Sequence, residues 1–378
     1  MQLRDYQLPA VDFLAARRRA FVIAPAGSGK TVIGAAALQK LCCTPRRVRK
    51  VTWLANTIEQ VDQAVASLKI FPCDGDVEIQ VECVAAQPDT SDSDVIVMDE
   101  AHHAPARTWE PLVRNTPRTC CVWGLSATPW HDKDTERNKC VVALFESFYE
   151  IERYDIQDSG HLAEGRIVMW DLDEPGEFDE EIKDLAWPEI EKQMRRFKSW
   201  DPIAKEEMLQ TVTQRVTWRF TQPFVFENPK RQAKIQALCS SEMKAGHSVL
   251  LLVATKTHGR ELSRLTGGTF CHSGMGAKKR STAIEGARSG DIKCLIATSL
   301  ADEGLDIPRL SRLILACGGR SSTKLTQRVG RVLRPFDGKE FGLCHDFLDR
   351  GAALANAQAW ARVRKYRELG YAIEGLNE

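Results

Sequence analysis

No stretch of the 378-residue chain approaches the roughly 20 consecutive apolar residues that a membrane-spanning helix needs. The opening Met1-Gln2-Leu3-Arg4-Asp5 has none of the basic-then-apolar character of a secretory leader. Cysteine is plentiful at 12 residues, yet no two are spaced Cys-x-x-Cys. Cys42-Cys43 and Cys120-Cys121 are adjacent, which suits neither a zinc site nor a disulfide frame. Reduced thiols in a cytoplasmic protein are the expectation. Net charge is missing too, since 52 Lys+Arg against 51 Asp+Glu leave +1. The chain as a whole is therefore no basic nucleic-acid binder, and any grip on a polyanion has to come from local clusters. What remains is an ordinary globular composition, 43% hydrophobic and 27% charged, with length for two or three domains.

One stretch organises the rest. Ala24-Pro25-Ala26-Gly27-Ser28-Gly29-Lys30-Thr31 follows the apolar run Phe21-Val22-Ile23 and precedes Val32-Ile33-Gly34-Ala35-Ala36-Ala37-Leu38. Strand, glycine-rich loop, helix is the context of a phosphate-binding loop. Gly27 and Gly29 let backbone N–H groups close on a phosphate, and the helix N-terminus behind them favours negative charge. Lys30 would reach the outer phosphates and the Thr31 hydroxyl would hold a Mg²⁺ ion. Ala24 stands where the general pattern begins with glycine.

Three later segments complete an ordered set. Val95-Ile96-Val97-Met98-Asp99-Glu100-Ala101-His102 is an apolar strand ending in two carboxylates. Gly124-Leu125-Ser126-Ala127-Thr128-Pro129 ends another strand, and Gln327-Arg328-Val329-Gly330-Arg331-Val332-Leu333-Arg334-Pro335 lies far downstream. The set resembles the superfamily-two helicases, in which alanine at the place of Ala24 is the usual variant. The resemblance implies an α/β fold of two RecA-like domains with parallel sheets flanked by helices, plus a small helical insert. We place these at 1–154, 155–228 and 229–378. It implies ATP with Mg²⁺ as the ligands. Asp99 would bind the metal ion at one remove and Glu100 would activate the attacking water. Gln7 resembles the adenine-reading glutamine, and residues 26–31 would hold the phosphates, Ala26 included. Gly304 and Asp306 would face the nucleotide, and Thr298 and Ser299 the nucleic acid. Arg331 and Arg334, with Gln327 of the same motif, would supply charge stabilisation from the second domain.

Within the superfamily, Leu3-Arg4-Asp5-Tyr6-Gln7, Asp99-Glu100-Ala101-His102-His103 and the Gln327 segment are similar to the XPB, RadD and phage UvsW branch, which works on double-stranded or branched DNA. RNA helicases of the DEAD type show Asp-Glu-Ala-Asp and His-Arg-x-Gly-Arg instead. A DNA helicase or translocase is therefore expected. The alternatives are an RNA-remodelling helicase and an ATP-gated motor subunit of a restriction or defence complex. No nuclease motif follows in this chain, and nothing in the spacing of His103 makes a metal site.

Ligands of open α/β sheets gather at the carboxyl ends of strands. Asn56, Thr57 and Gln60 follow the strand Val51-Thr52-Trp53-Leu54 and are placed to touch a phosphate backbone. Lys278, Lys279 and Arg280 follow the strand ending near Cys271, so they too point to phosphates. The denser run Arg46-Arg47-Val48-Arg49-Lys50 precedes its strand and reads as a solvated face. Between 155 and 228 the composition shifts: residues 171–184 hold eight acids against Lys183 alone. Two helices are expected next, one opened by Pro188 with Ile190, Met194 and Phe197 on one face. The other opens at Pro202 behind Asp201 and aligns Leu209, Val212, Val216 and Phe220. Trp170, Trp187, Trp200 and Trp218 in this stretch read as residues that lock a helical unit onto its neighbours, with a base-stacking surface as the alternative.

Overall fold

Short strands that are apolar from end to end mark a sheet covered on both faces. The computed structural model describes residues 2–376 except 26, 46–47, 74–75, 115, 118, 128, 131–134, 153–154, 157–163, 198–200, 273, 299–306, 320–328 and 330–340, and the side chains at 59, 164 and 277. It holds two units. The first is drawn mainly from Met1–Ala163, the second from Glu164–Ala301, Ile307–Leu325 and Phe336–Glu378.

The first unit carries β1 (Arg19–Ile23), β2 (Lys50–Ala55), β3 (Glu78–Cys83), β4 (Val95–Asp99), β5 (Cys121–Ser126) and β6 (Ser147–Glu150). All pair in parallel in the order β3-β2-β4-β5-β1-β6. Its helices are α1 (Leu8–Ala15), α2 (Lys30–Cys42), α3 (Ile58–Ile70), α4 (Glu110–Arg114) and α5 (Thr135–Leu144). Every residue of β4 and β5 is buried. The small residues of α2 let it lie close on the sheet: a Cβ on Gly34 would come within 2.8 Å of Trp53 Cη2 and 2.9 Å of Leu125 Cδ1. Beyond β1, Phe145 meets Phe21 edge to face at 4.9 Å. Because the strands run one way, the segments that follow them share one edge. Ile23 lies opposite Ser126 and Asp99 opposite Leu125, so the loop after β1, the end of β5 and the acidic pair after β4 come together there.

The second unit is a seven-stranded parallel sheet. Its strands are β7 (Glu164–Trp170), β8 (Ser248–Leu252), β9 (Thr269–Cys271), β10 (Cys294–Ala297), β11 (Leu310–Leu315), β12 (Phe341–Phe347) and β13 (Ala372–Glu374). The order is β13-β7-β12-β11-β8-β10-β9. Helices α6 (Asp179–Arg196), α7 (Pro202–Phe226), α8 (Pro229–Lys244), α9 (Lys256–Thr266), α10 (Ala277–Ser289) and α11 (Ala353–Glu368) accompany it. The expected pair of parallel α/β sheets is present, and the details differ in three places. β7 lies inside the stretch read as linker and insert, yet pairs with β12 along seven residues. Pro188 does not open its helix: α6 starts nine residues earlier at Asp179, whose acidic first turn suits the positive end of the helix dipole. Leu209 is exposed, while Val212 and Val216 face Ala186 and Ile190 in the hairpin core. Asp201 does cap α7 as expected, accepting from the Ile203 N–H at 3.0 Å. Of the tryptophans, Trp170 and Trp218 pack on apolar clusters, Trp187 is exposed, and Trp200 lies outside the described residues. Among the described residues no helix is long and apolar enough to cross a membrane.

Candidate nucleotide site

The loop after β1 turns on two glycines in the left-handed region, Gly27 at φ 90° and Gly29 at φ 79°. Non-glycine residues resist that conformation. Gly29 meets a second demand, since a Cβ there would fall 2.6 Å from Gln7 Nε2. Lys30 and Thr31 then open α2, whose first N–H groups face the loop.

Gln7 is buried beneath this loop. Its Nε2 donates to the Ser28 carbonyl at 2.8 Å and its Oε1 accepts from the Arg4 N–H at 3.0 Å. Tyr6 Oη donates to the same Ser28 carbonyl at 3.1 Å, and Arg4 Nη1 donates to Tyr6 Oη at 2.9 Å. Among the described residues these contacts engage one amide hydrogen and one lone pair of Gln7.

Thr31 Oγ1 donates to Asp99 Oδ2 at 3.1 Å, joining the loop to the acidic pair. Burial, and after it the charge of Glu100, raises the Asp99 carboxyl above its ordinary range, against the pull of Lys30 and Thr31. Burial pushes Glu100 upward as well, but Lys30 and then His102 outweigh it and hold this carboxyl below its ordinary range. The surroundings thus shift the two carboxyls in opposite directions. Its backbone sits at φ 53°, a strained value for a side-chain-bearing residue and one common at functional sites. Ser126 Oγ donates to Glu100 Oε2 at 3.4 Å and lies 2.9 Å from His102 Nδ1, while His102 Nδ1 is 3.4 Å from the same carboxylate oxygen. The arrangement can hold a polyphosphate on backbone amides and a lysine, offer oxygen ligands to a hard cation, and place an ionised carboxylate beside both.

The structure thus brings together Gln7, Gly27, Ser28, Gly29, Lys30, Thr31, Asp99 and Glu100. Ala26, Ser299, Gly304, Asp306, Gln327, Arg331 and Arg334 lie outside the described residues. The sequence alone assigns no role to Arg4, Tyr6, Ser126 or His102, although each sits inside a motif quoted above.

The expected nucleic-acid contacts divide. Thr57 Oγ1 accepts from the Gln60 N–H at 3.3 Å, and Gln60 Oε1 accepts from the N–H groups of Asn56 and Thr57 at 2.9 and 3.2 Å. Both side chains are engaged in capping α3. Asn56 lies at the carboxyl edge of β2, and its carbonyl accepts from Cys83 Sγ at 3.4 Å. In the second unit Lys278 and Lys279 are exposed in the first turn of α10, with Arg280 half-buried. Thr298 follows β10, the neighbour of β9, so these residues share the carboxyl edge of that sheet. The earlier basic run is tied to the acid-rich loop: Lys50 Nζ donates to Asp92 at 2.7 Å, and Asp94 accepts from the N–H groups of Arg49 and Lys50. Arg46 and Arg47 lie outside the described residues.

Two family models match the chain. One, described as Type III restriction enzyme, res subunit, covers 1–83 and 76–131, the part that holds the loop and the acidic pair. The other, Helicase conserved C-terminal domain, covers 231–335. This is a superfamily-two helicase chain. It is 24% identical over 355 residues to "Putative DNA 3'-5' helicase Rad25" of Halobacterium salinarum, an alignment covering 89% of this chain and 52% of that one. It is 25% identical over 263 residues to "Putative helicase 22" of a Sulfolobus islandicus filamentous virus, covering 68% and 43%. The chain therefore spans about half the length of these curated relatives. The Hef helicase domain of Pyrococcus furiosus has a similar fold, with a TM-score of 0.57 at 14% identity over 91% of this chain and 95% of that one. In the sequence, the chain's two matched domains bracket α6 and α7.

Proposed function

We propose that this helicase chain is an ATP-driven DNA motor, hydrolysing ATP at the loop after β1 and coupling turnover to movement on duplex or branched DNA. The observation that carries the reading is the Thr31–Asp99 hydrogen bond with Glu100 beside it, at the mouth of a glycine-turned loop. Hard oxygen donors on Thr31 and Asp99 fit Mg²⁺, which when bound supplies charge neutralisation to the phosphates. Lys30 contributes charge-assisted hydrogen bonds to the outer phosphates. Glu100, held ionised, orients and deprotonates the attacking water. Arg331 and Arg334 are assigned the stabilisation of charge on the transferring phosphoryl group, a role worth about 10³–10⁵ in rate for arginine fingers. Exposed Lys278 and Lys279, with Arg280, Thr298 and Asn56, are assigned to the DNA backbone. DNA is favoured over RNA by the Asp-Glu-Ala-His motif and by the names of the relatives. The description of the first family model favours a second reading, a motor subunit whose partner supplies cleavage.

The chemistry is tested by two variants. Glu100→Gln is expected to bind ATP like the parent and to hydrolyse none, whereas Lys30→Ala is expected to weaken ATP binding itself. Both are read by nucleotide titration and steady-state turnover. Turnover of Glu100→Gln within about threefold of the parent would remove the assignment of Glu100.

A further inference from the structure

His103 has no part in the site as described, yet its ring is held from two sides. It lies 4.1 Å from the ring of His102 at an interplanar angle of 38°, and 6.0 Å from that of Trp109 at 27°. Trp109 is 2% exposed and belongs to the apolar cluster that includes Ala101, Ala104, Leu112 and Val113. Three rings therefore form a column that begins in the core of the first unit and ends at His102. At that end, His102 Nδ1 is within 2.9 Å of Ser126 Oγ and 3.4 Å of Glu100 Oε2. The backbone draws the same residues together, as the His103 N–H donates to the Glu100 carbonyl at 3.1 Å and the His103 carbonyl accepts from the Ala106 N–H at 2.8 Å.

We propose that His103 is a positioning residue for Glu100, acting through the face of His102. The inference rests on the reading of Glu100 as the group that activates water. An imidazole has a broad torsional well about its ring bond, so polar contacts at one edge constrain its rotation less than packing against its face. The tilted His103 ring, 4.1 Å away, supplies that packing. The two contacts to Glu100 Oε2, both 3.4 Å long, sit at the far limit of a useful hydrogen bond, and a small rotation of His102 would end them. Trp109 gives the column a fixed base, and His103 transmits that rigidity across the gap between core and site. Removing the His103 ring takes away the packing on the face of His102 and so loosens its hold beside Glu100.

The experiment measures kcat and KM for ATP in His103→Ala, His103→Gln and His103→Phe, with the thermal midpoint of each. Loss of the ring is expected to lower kcat by about tenfold to a hundredfold in the Ala and Gln variants, with KM within about twofold of the parent. Phe keeps the stacking face without the polar atoms, and its kcat is expected within about threefold of the parent. A purely structural role would lower the thermal midpoint without this split, and without rescue by Phe. Parent-like kcat in the Ala or Gln variant overturns the proposal, as does a Phe variant as slow as Ala. If Ala fails to fold, the Gln and Phe pair decides by the same comparison. Glu100→Gln run alongside separates the two ideas: retained turnover there defeats the water-activating role, while its loss together with a fast His103→Gln defeats only the positioning role.

Discussion

Glu242 is a second carboxylate whose state is set by its neighbours, and it ties the fold to pH. It accepts from Arg312 Nε at 2.7 Å and lies 3.1 Å from His345 Nε2, whose other ring nitrogen faces the Trp170 indole N–H. Burial pushes this carboxyl up, but the hydrogen bonds from His345 and Arg312 prevail and bring it to about 2. A carboxyl lowered by folding stabilises the fold above its ordinary value of 4.5, and that stabilisation fades as pH falls from there toward 2. Glu242→Gln leaves the Arg312 charge buried without its partner, so a loss of roughly 3 kcal/mol is expected near neutral pH. Urea unfolding of parent and variant at neutral pH and near pH 3 checks this, with the gap shrinking on acidification. An equal gap at both would mean that the pair does not hold the carboxyl down. At this scale the nucleotide site is largely legible in the sequence, because Lys30, Thr31, Asp99 and Glu100 sit in motifs whose chemistry demands those residue types. Ser126 is not, because its contact with Glu100 spans 26 residues of chain and leaves no local pattern, and the part of His102 shows only once Ser126 lies beside it.

Helices and strands obey the same logic with different failures. β7 escapes the sequence reading although its burial alternates along the strand, with Ile167 and Met169 buried and Arg166, Val168 and Trp170 only partly so. The acid-rich stretch that follows masks the alternation. Pro188 looks like a helix start, yet a proline inside a helix removes a single hydrogen bond, and the buried face of Ile182, Ala186 and Ile190 carries α6 through it. Thr57 and Gln60 form a capping box at the start of α3, a local role that the sequence reading did not assign them. Gln60→Ala is accordingly expected to cost about 1 kcal/mol of stability, measured by chemical unfolding. Little change would mean that the cap is replaceable by water. Gly34→Ala gives a sharper contrast. On an isolated helix the change would stabilise by about 1 kcal/mol. Here the new methyl meets Trp53 and Leu125, so a net loss of about 1–3 kcal/mol is expected. A gain in stability would show that α2 does not press on the sheet as described.

At the scale of the whole molecule, two parallel sheets leave two carboxyl edges, and charge placement rather than net charge decides where a polyanion is held. Lys278, Lys279 and Arg280 open a helix at such an edge, whereas Lys50 is already paired with Asp92. Each lost phosphate contact should flatten the dependence of log affinity on log salt by about 0.7–0.9. Neutralising the trio is expected to lower the slope for duplex binding by more than about one unit, and neutralising Arg49 and Lys50 by less. The opposite ranking would move the DNA track away from the carboxyl edges. Arg334→Ala is expected to lower kcat strongly with ATP affinity retained, and a collapse of affinity with kcat unchanged would make it a ground-state binder. The central claim, a motor whose ATP turnover answers to DNA, is tested most directly by one set of steady-state rates. ATP hydrolysis is measured without nucleic acid, with duplex DNA and with RNA of the same sequence, using Glu100→Gln as the control. The account predicts turnover that rises with DNA, stays near its basal level with RNA and is absent in the variant. Hydrolysis indifferent to DNA, or stimulated by RNA alone, would contradict it.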